Sequence, residues 1–187
     1  MHRIEPFFLW RDLYSSDQDP AALNYGTVYS EFHFTNKVYN FLLHPQWDSF
    51  GSDTLFYKQL FVDYDEGFCI LEFIGEWNDC INNDIMFLKN ELIDNLIDNG
   101  ISSFILILEN VLNFHGEIED YYEEWNNDID GNIYIVNAQP HVLEEMDSYN
   151  LNMHINYGGR LQDIDWRMLK PDKVLEMVEQ KFLEKKY

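Results

Sequence analysis

Residues 102–125 read Ser102-Ser103-Phe104-Ile105-Leu106-Ile107-Leu108-Glu109-Asn110-Val111-Leu112-Asn113-Phe114-His115-Gly116-Glu117-Ile118-Glu119-Asp120-Tyr121-Tyr122-Glu123-Glu124-Trp125. Phe104 to Leu108 is an unbroken apolar run, short and β-branched enough for a strand covered on both faces. Glu109 to Gly116 reads as a polar loop. Ile118, Tyr121, Tyr122, Trp125 and Ile129 then recur at helical spacing, which predicts a helix from Ile118 to Ile129. Strand, loop and helix in this order are the unit of a parallel α/β sheet.

Upstream, Ile85, Phe87, Leu88, Leu92 and Leu96 predict a helix over Ile85 to Asn99. Asp84 is its expected N-cap, Gly100 its C′ residue and Ile101 the apolar contact that follows. Downstream, Asp130-Gly131 turns the chain into a strand over Asn132 to Val136. Pro140 fits the first position of a helix through Val142, Leu143, Met146 and Tyr149. Asn152 to Tyr157 alternates apolar and polar residues and reads as a last strand with one wet face. Pro171 opens a final helix with Val174, Leu175, Val178 and Phe182 inward. Asp172 at its start and Lys181, Lys185 and Lys186 at its end complement the helix dipole.

The first third of the chain is β-rich by pattern. Thr54 to Val62 and Phe68 to Gly75 form a hairpin around 63–67. With Val62 opposite Phe68, Lys58 falls opposite Glu72, a cross-strand charge pair that supports the register. Thr27 to Phe34 alternates with strand period and Val38 to Leu43 returns, which predicts a second hairpin. Phe7, Phe8, Leu9, Trp10 and Tyr14 belong to an irregular aromatic arm, followed by a short helix over Ala21 to Tyr25. The expected fold is a single α/β domain: a mixed sheet with parallel strands at 68–75, 103–108, 132–137 and 152–157, helices packed on it, and a β-rich N-terminal extension. Residues 1–53 form the extension and 54–187 the core.

The chain has 187 residues and a net charge of -22. Such charge repels phosphate backbones and anionic lipid, so neither nucleic acid nor a membrane surface is an expected partner. No apolar stretch reaches the ~20 residues of a membrane span. The N-terminal apolar run is too short for a signal peptide, and Cys69 and Cys80 read as reduced thiols, so a cytoplasmic location is expected. The charge is uneven: from Asn90 to Gly159 there is no Lys or Arg, while Glu91, Asp94, Asp98, Glu117, Glu119, Asp120, Glu123, Glu124 and Asp128 all fall there.

In an open parallel sheet, ligands bind outside the carboxyl ends of the strands. The segments leaving those ends carry Trp77, Asn78, Asp79, Glu109, Asn110, Asn113, His115, Glu117, Asn137 and His141. Two histidines and several carboxylates would suit proton transfer or a bound metal, with His115 as acid/base or ligand, Glu109 and Asp79 as its carboxylate partners and His141 as a second ligand. Ordinary loop polarity accounts for the same residues, the more so in a chain with 18 Asn.

Other patterns are weaker. Asn126-x-Asp128-x-Asp130-Gly131 imitates a calcium loop, but Asn137 stands where the bidentate Glu should be, so it reads as a helix-to-strand turn. His141-x-x-Glu144 lacks a second His for a zinc-protease pattern. Gly158-Gly159-Arg160 reads as a turn, 44–48 as a corner, and Cys80 has no neighbouring cation to activate it. Dinucleotide, phosphate-loop and nucleophile-elbow motifs are absent. No cofactor and no metal site is indicated.

From Leu55 onward, the strand pair followed by alternating helices and strands resembles the STAS domain, the sulfate-transporter and anti-sigma-factor-antagonist module. The resemblance implies a non-enzymatic regulator that binds partner proteins. The family's phosphorylated loop, usually Asp-Ser-Ser-Gly, corresponds here to Val111 to Ile118, which has no Ser or Thr, so no phospho-acceptor carries over. Taken whole, the chain has the look of a bacterial protein.

The expected function is therefore a regulatory or scaffold module that binds another protein, one with a basic surface, through its acidic face. The alternative is a small-molecule- or metal-binding enzyme or sensor using the strand-end rim. A third reading, an inhibitor whose acidity mimics nucleic acid, rests on charge alone.

Overall fold

A computed structural model of the chain describes residues 4–117 and 120–185. Two short strands, β1 (Lys37–Val38) and β2 (Phe41–Leu42), make a small separate sheet. The main sheet has four strands in the order β3-β4-β5-β6: β3 (Leu55–Asp63), β4 (Phe68–Asn78), β5 (Ser103–His115) and β6 (Ile133–Val136). β3 is antiparallel to β4, and β4, β5 and β6 are parallel. The protein is thus mixed α/β with parallel strands at the centre, as the apolar run at 104–108 predicts.

The sheet has two covered faces. On one, Leu71, Phe73, Leu106, Leu108 and Ile135 meet the apolar sides of three helical units. The first is a nearly continuous helix built from α2 (Asp84–Phe87), a π-helical stretch (Leu88–Ile93) and α3 (Asp94–Asp98). It follows a single turn, α1 (Asp79–Asn82). The others are α4 (Asp120–Asp128) and α5 (Pro140–Ser148). The opposite face, with Ile70, Ile105, Ile107 and Val136, is covered by Val174 and Val178 of α6 (Pro171–Lys185) and by Trp10 and Trp166. The aromatic arm therefore docks on its own chain: Phe7 lies 5.0 Å from Trp10 and 4.9 Å from Trp166, edge to face.

Several local expectations hold. The helix ending at Asp98 closes with the Ile101 N–H on the Leu96 carbonyl (3.0 Å) and the Gly100 N–H on that of Ile97 (2.9 Å). This is a Schellman closure, with Gly100 in the left-handed region (φ 94°). Pro140 and Pro171 open α5 and α6. α4 ends at Asp128 and β6 begins at Ile133, so the calcium-like stretch is a turn. Ile118 and Glu119, expected at the start of the helix that becomes α4, and Lys186, expected at the end of the final helix, lie outside the described residues.

Other expectations are corrected. The segment read as a loop, Glu109 to Gly116, is strand as far as His115. It continues beside β4 with register shifts after Glu72 and after Gly75, so its mixed polarity reflects irregular pairing and changing cover, not a turn. The strand predicted over Thr27 to Phe34 does not form. Val28 and Phe32 are 94% and 87% exposed, and the outer edge of β3 is met instead by Asp48, whose N–H bonds the Tyr57 carbonyl at 2.8 Å. The expected return strand Val38 to Leu43 does not form as one strand either: Lys37–Val38 pairs with Phe41–Leu42, so the chain turns back on itself inside that stretch. Residues 21–25 form turns instead of a helix. The strand expected over Asn152 to Tyr157 is a 3-10 turn (Leu151–Met153) and a single parallel bridge from Asn156 to Tyr134. Val62 pairs with Cys69, one residue off, but a bulge between Gln59 and Phe61 restores Lys58 opposite Glu72. Asp84 is the first helical residue and not the cap. Asn83 holds that position at φ 52°, and the Asp84 carboxylate instead accepts the Asn78 N–H at 2.7 Å.

Candidate functional site

The rim residues named from the sequence gather into separate polar groups. At the end of β4, the buried Asp79 carboxylate accepts three hydrogen bonds: from Trp77 Nε1 (2.9 Å), the Ile85 N–H (2.9 Å) and the Tyr122 hydroxyl (2.6 Å). Burial pushes its pKa up to about 6, against those bonds. Beside it, Asn78 caps α1 by accepting the Ile81 N–H at 2.9 Å. These contacts tie the strand end to α1, α2 and α4.

Asn113 and His115 share a hydrogen bond of 2.9 Å at the end of β5, with Glu76 3.7 Å from the same ring nitrogen. His141 goes elsewhere, its Nε2 lying 2.8 Å from the Leu112 carbonyl. Asn110 and Leu112 border a small apolar cavity of about 150 Å³ with Ile4, Phe41, Leu43 and Ile74. Glu117 is exposed.

Glu109 belongs to a third group. Its Oε1 accepts from Asn137 Nδ2 (2.7 Å) and Trp166 Nε1 (2.8 Å), and its other oxygen meets Arg167. Asn137, held at φ 56°, also donates to the Ile164 carbonyl and accepts its N–H, so it clamps the 137 turn to the chain that returns at 164. Glu109 with Asn137, Trp77 with Asp79, and Asn113 with His115 are therefore the pairs that the fold brings together. Among the described residues no three His, Cys, Asp or Glu side chains converge as a metal ion would require.

Three charged centres lie outside the expected rim, and two of them, Glu72 and Lys58, are the residues the sequence reading paired with each other across the hairpin. Glu72, 1% exposed in the middle of β4, accepts the Phe7 N–H at 2.9 Å and faces Arg167 at 3.6 Å. Burial pushes its pKa up to about 7, and both contacts work against that rise. Lys58 gives its ammonium to Asp48 (2.9 Å) and lies 3.9 Å from the centre of the Tyr29 ring. Burial lowers the pKa of Lys58 and raises that of Asp48. Lys89, also 1% exposed, runs out of the π-helical stretch to Asp94, Asp128 (2.7 Å) and Glu124 (3.6 Å). Burial opposes its charge, but the hydrogen bonds to Asp128 and Asp94 prevail and its pKa is raised. Strand register placed Lys58 opposite Glu72, but it did not reveal that each is matched by a group from elsewhere in the chain, and Lys89 carried no sequence signal beyond a polar residue inside an apolar pattern.

Lys89 sets the character of the helical face. It is the only Lys or Arg between Asn83 and Gly159, and it is buried among acids. The outward charges of α3, α4 and α5 are consequently all carboxylates, including the exposed Asp98, Asp120, Glu123, Glu144 and Asp147. On the other side of the sheet, α6 and the chain leading into it carry Arg160, Arg167, Lys173 and Lys181, each close to an acid or a carbonyl. The sheet thus divides the molecule into an acid-only helical layer and a mixed-charge layer.

Fold and surface together define a mixed α/β domain with one anionic helical face. Among the described residues no helix is long and apolar enough to cross a membrane. The chain matches no protein-family model and no curated protein.

Proposed function

We propose that this chain is a non-catalytic regulatory or scaffold module whose partner is a protein with a basic surface, bound on the helical face formed by α2–α3 and α4. The observation that carries this reading is that, among the described residues, these helices bear no exposed Lys or Arg, with the one local lysine turned inward onto three acids. A surface of one sign steers an oppositely charged partner and rejects like-charged ones. The STAS-like order of elements, less the strand expected over 152–157, points to the same class. The strand-end rim favours the enzyme reading less, because Asp79, Glu109, Asn137 and His141 are engaged in bonds that hold the fold.

The test is capture from native lysate with the wild-type chain and with Glu91→Lys/Glu123→Lys, two positions outside the Lys89 cluster. A specific partner held at low salt, released at high salt and lost in the double variant supports the reading. Recovery of no specific partner at low salt, or equal recovery by the variant, refutes it.

A further inference from the structure

A cavity of about 150 Å³ opens where the β1–β2 hairpin meets the sheet, on the side opposite α2–α3 and α4. Its wall is made of Ile4 ahead of the aromatic arm, Phe41 and Leu43 of the hairpin segment, Ile74 of β4, and Asn110 and Leu112 of β5. Leu43 and Ile74 are 4% exposed and belong to one buried cluster with Val38, Trp47 and Phe56, so the floor is fixed. Ile4, Phe41 and Leu112 remain 38%, 43% and 49% exposed and form the mouth. The hairpin above is pinned by Val38 in that cluster and by the Tyr39 hydroxyl, which donates to Glu76. The hollow is therefore formed before any ligand arrives, and it has a way in.

The wall carries no charged side chain. Glu76, two residues beyond Ile74, is held by Tyr39 and by Asn78 Nδ2 (3.1 Å), and Glu109, beside Asn110, is held by Asn137, Trp166 and Arg167. A charged ligand would lose its hydration here and meet no free counter-group. Asn110 supplies the one polar side chain among the described lining residues, whereas a well-held water needs about two to four polar partners. Water in the hollow is consequently poorly bonded, and an apolar group that displaces it gains affinity. Size narrows the ligand further, since an apolar cavity of about this volume takes a benzene-sized molecule. Beyond the mouth the surface turns polar at Glu76, Asn113 and His115, so the apolar area is that of a ring and not of a protein interface.

We propose that this cavity binds a small uncharged apolar molecule, a single aromatic ring or a branched alkyl group of about six to eight non-hydrogen atoms. The ligand packs on Leu43 and Ile74 and is flanked by Ile4, Phe41 and Leu112. The site is independent of the protein-binding reading, since it shares no residue with the helical face.

The probes are benzene and toluene, titrated into the full chain carrying isotope-labelled Ile and Leu methyl groups and followed by NMR. Benzoate and benzylammonium, which carry the same ring with a charge of either sign, serve as controls. The methyls of Ile4, Leu43, Ile74 and Leu112 report on the cavity, and those of Leu88, Leu106 and Ile133, in the core on the helical side, report on binding elsewhere. The expected result is saturable shifts at the cavity methyls with at least one neutral probe, unchanged signals at the core methyls, and no saturation by either charged analogue at the same concentration. Leu112→Asn, at the exposed mouth, should weaken binding about tenfold or more, because an apolar part of the wall is lost. The proposal is overturned if neither neutral probe saturates the cavity methyls by about 5 mM, above the millimolar end of useful affinity. It is equally overturned if the shifts fall on the core methyls instead, if the charged analogues bind as well, or if Leu112→Asn binds with wild-type affinity.

Discussion

The Glu72 carboxylate accepts the backbone N–H of Phe7 at 2.9 Å, joining residues 65 positions apart. It thereby fixes the aromatic arm to the centre of the sheet, where Phe7 reaches Trp166, and it faces Arg167 from the C-terminal part of the chain. One buried acid thus links the two ends of the molecule.

That placement predicts a pH dependence. Burial raises the Glu72 pKa from 4.5 to about 7, so the folded state holds a proton that the unfolded chain releases between those values. The stability this contributes is fully present below pH 4.5 and is lost as pH rises through 7, a change of about 3 kcal/mol. Asp79 and Asp84, each pushed up to about 6 by burial, act in the same direction at lower pH. Glu72→Gln keeps an acceptor for the Phe7 N–H. Urea titrations should show it more stable than wild type at pH 8 and close to wild type at pH 5. A constant difference between the two pH values would refute the assignment.

Lys89 makes its ion pairs with acids that are themselves 42–56% exposed. Its stem is buried, while its ammonium ends among carboxylates that water reaches. Lys89→Met preserves the packing of the stem and leaves the acids hydrated, so the expected loss is about 1–2 kcal/mol, well short of a fully buried broken pair. The loss should shrink in 0.5 M salt, which screens the remaining acids from one another. Lys89→Glu should prevent α4 from docking, seen as lost near-ultraviolet dichroism around Trp125.

The Tyr122 hydroxyl donates to Asp79 at 2.6 Å, with both side chains buried. Tyr122→Phe removes a charge-assisted bond and leaves the carboxylate two donors. A cost of about 1.5–3 kcal/mol is expected at pH 8. The cost should be smaller at pH 5, below the raised Asp79 pKa, where the acid is neutral in the folded protein. Thermal melts at the two pH values distinguish this from simple loss of packing, which would be independent of pH.

Two glycines should respond differently to alanine. A Cβ on Gly131 would sit 2.1 Å from the Ser102 carbonyl oxygen, so Gly131→Ala must displace the start of β5, at a cost of about 3 kcal/mol or more. Gly100 has φ 94° but open space around it, so Gly100→Ala meets only backbone strain, about 1–2 kcal/mol. Equal losses in denaturant titrations would show that crowding at Gly131 is not the controlling feature.

The sequence determined by itself those elements whose signals are local. The apolar run at 104–108 made a covered strand, Gly100 and Ile101 closed the long helix, Pro140 and Pro171 opened theirs, and Lys58 came to face Glu72. Local periodicity suffices there because each pattern is matched to one backbone geometry and one buried face. It failed at Thr27 to Phe34, where alternation existed but the expected partner, Val38 to Leu43, turns back on itself, and at Glu109 to His115, where a strand with irregular pairing carries the polarity of a loop. Tertiary structure alone chose the charged partners. Lys58 and Glu72 oppose each other in register, yet Lys58 bonds Asp48 and Glu72 bonds the Phe7 N–H and faces Arg167. A buried charge must be matched wherever the folded chain delivers a counter-group, and that delivery depends on contacts between segments far apart in sequence. The same holds for the acid-only face: the sequence shows a stretch without cations, but only the packing of three helices on one side of the sheet, with Lys89 turned inward, makes that stretch a surface.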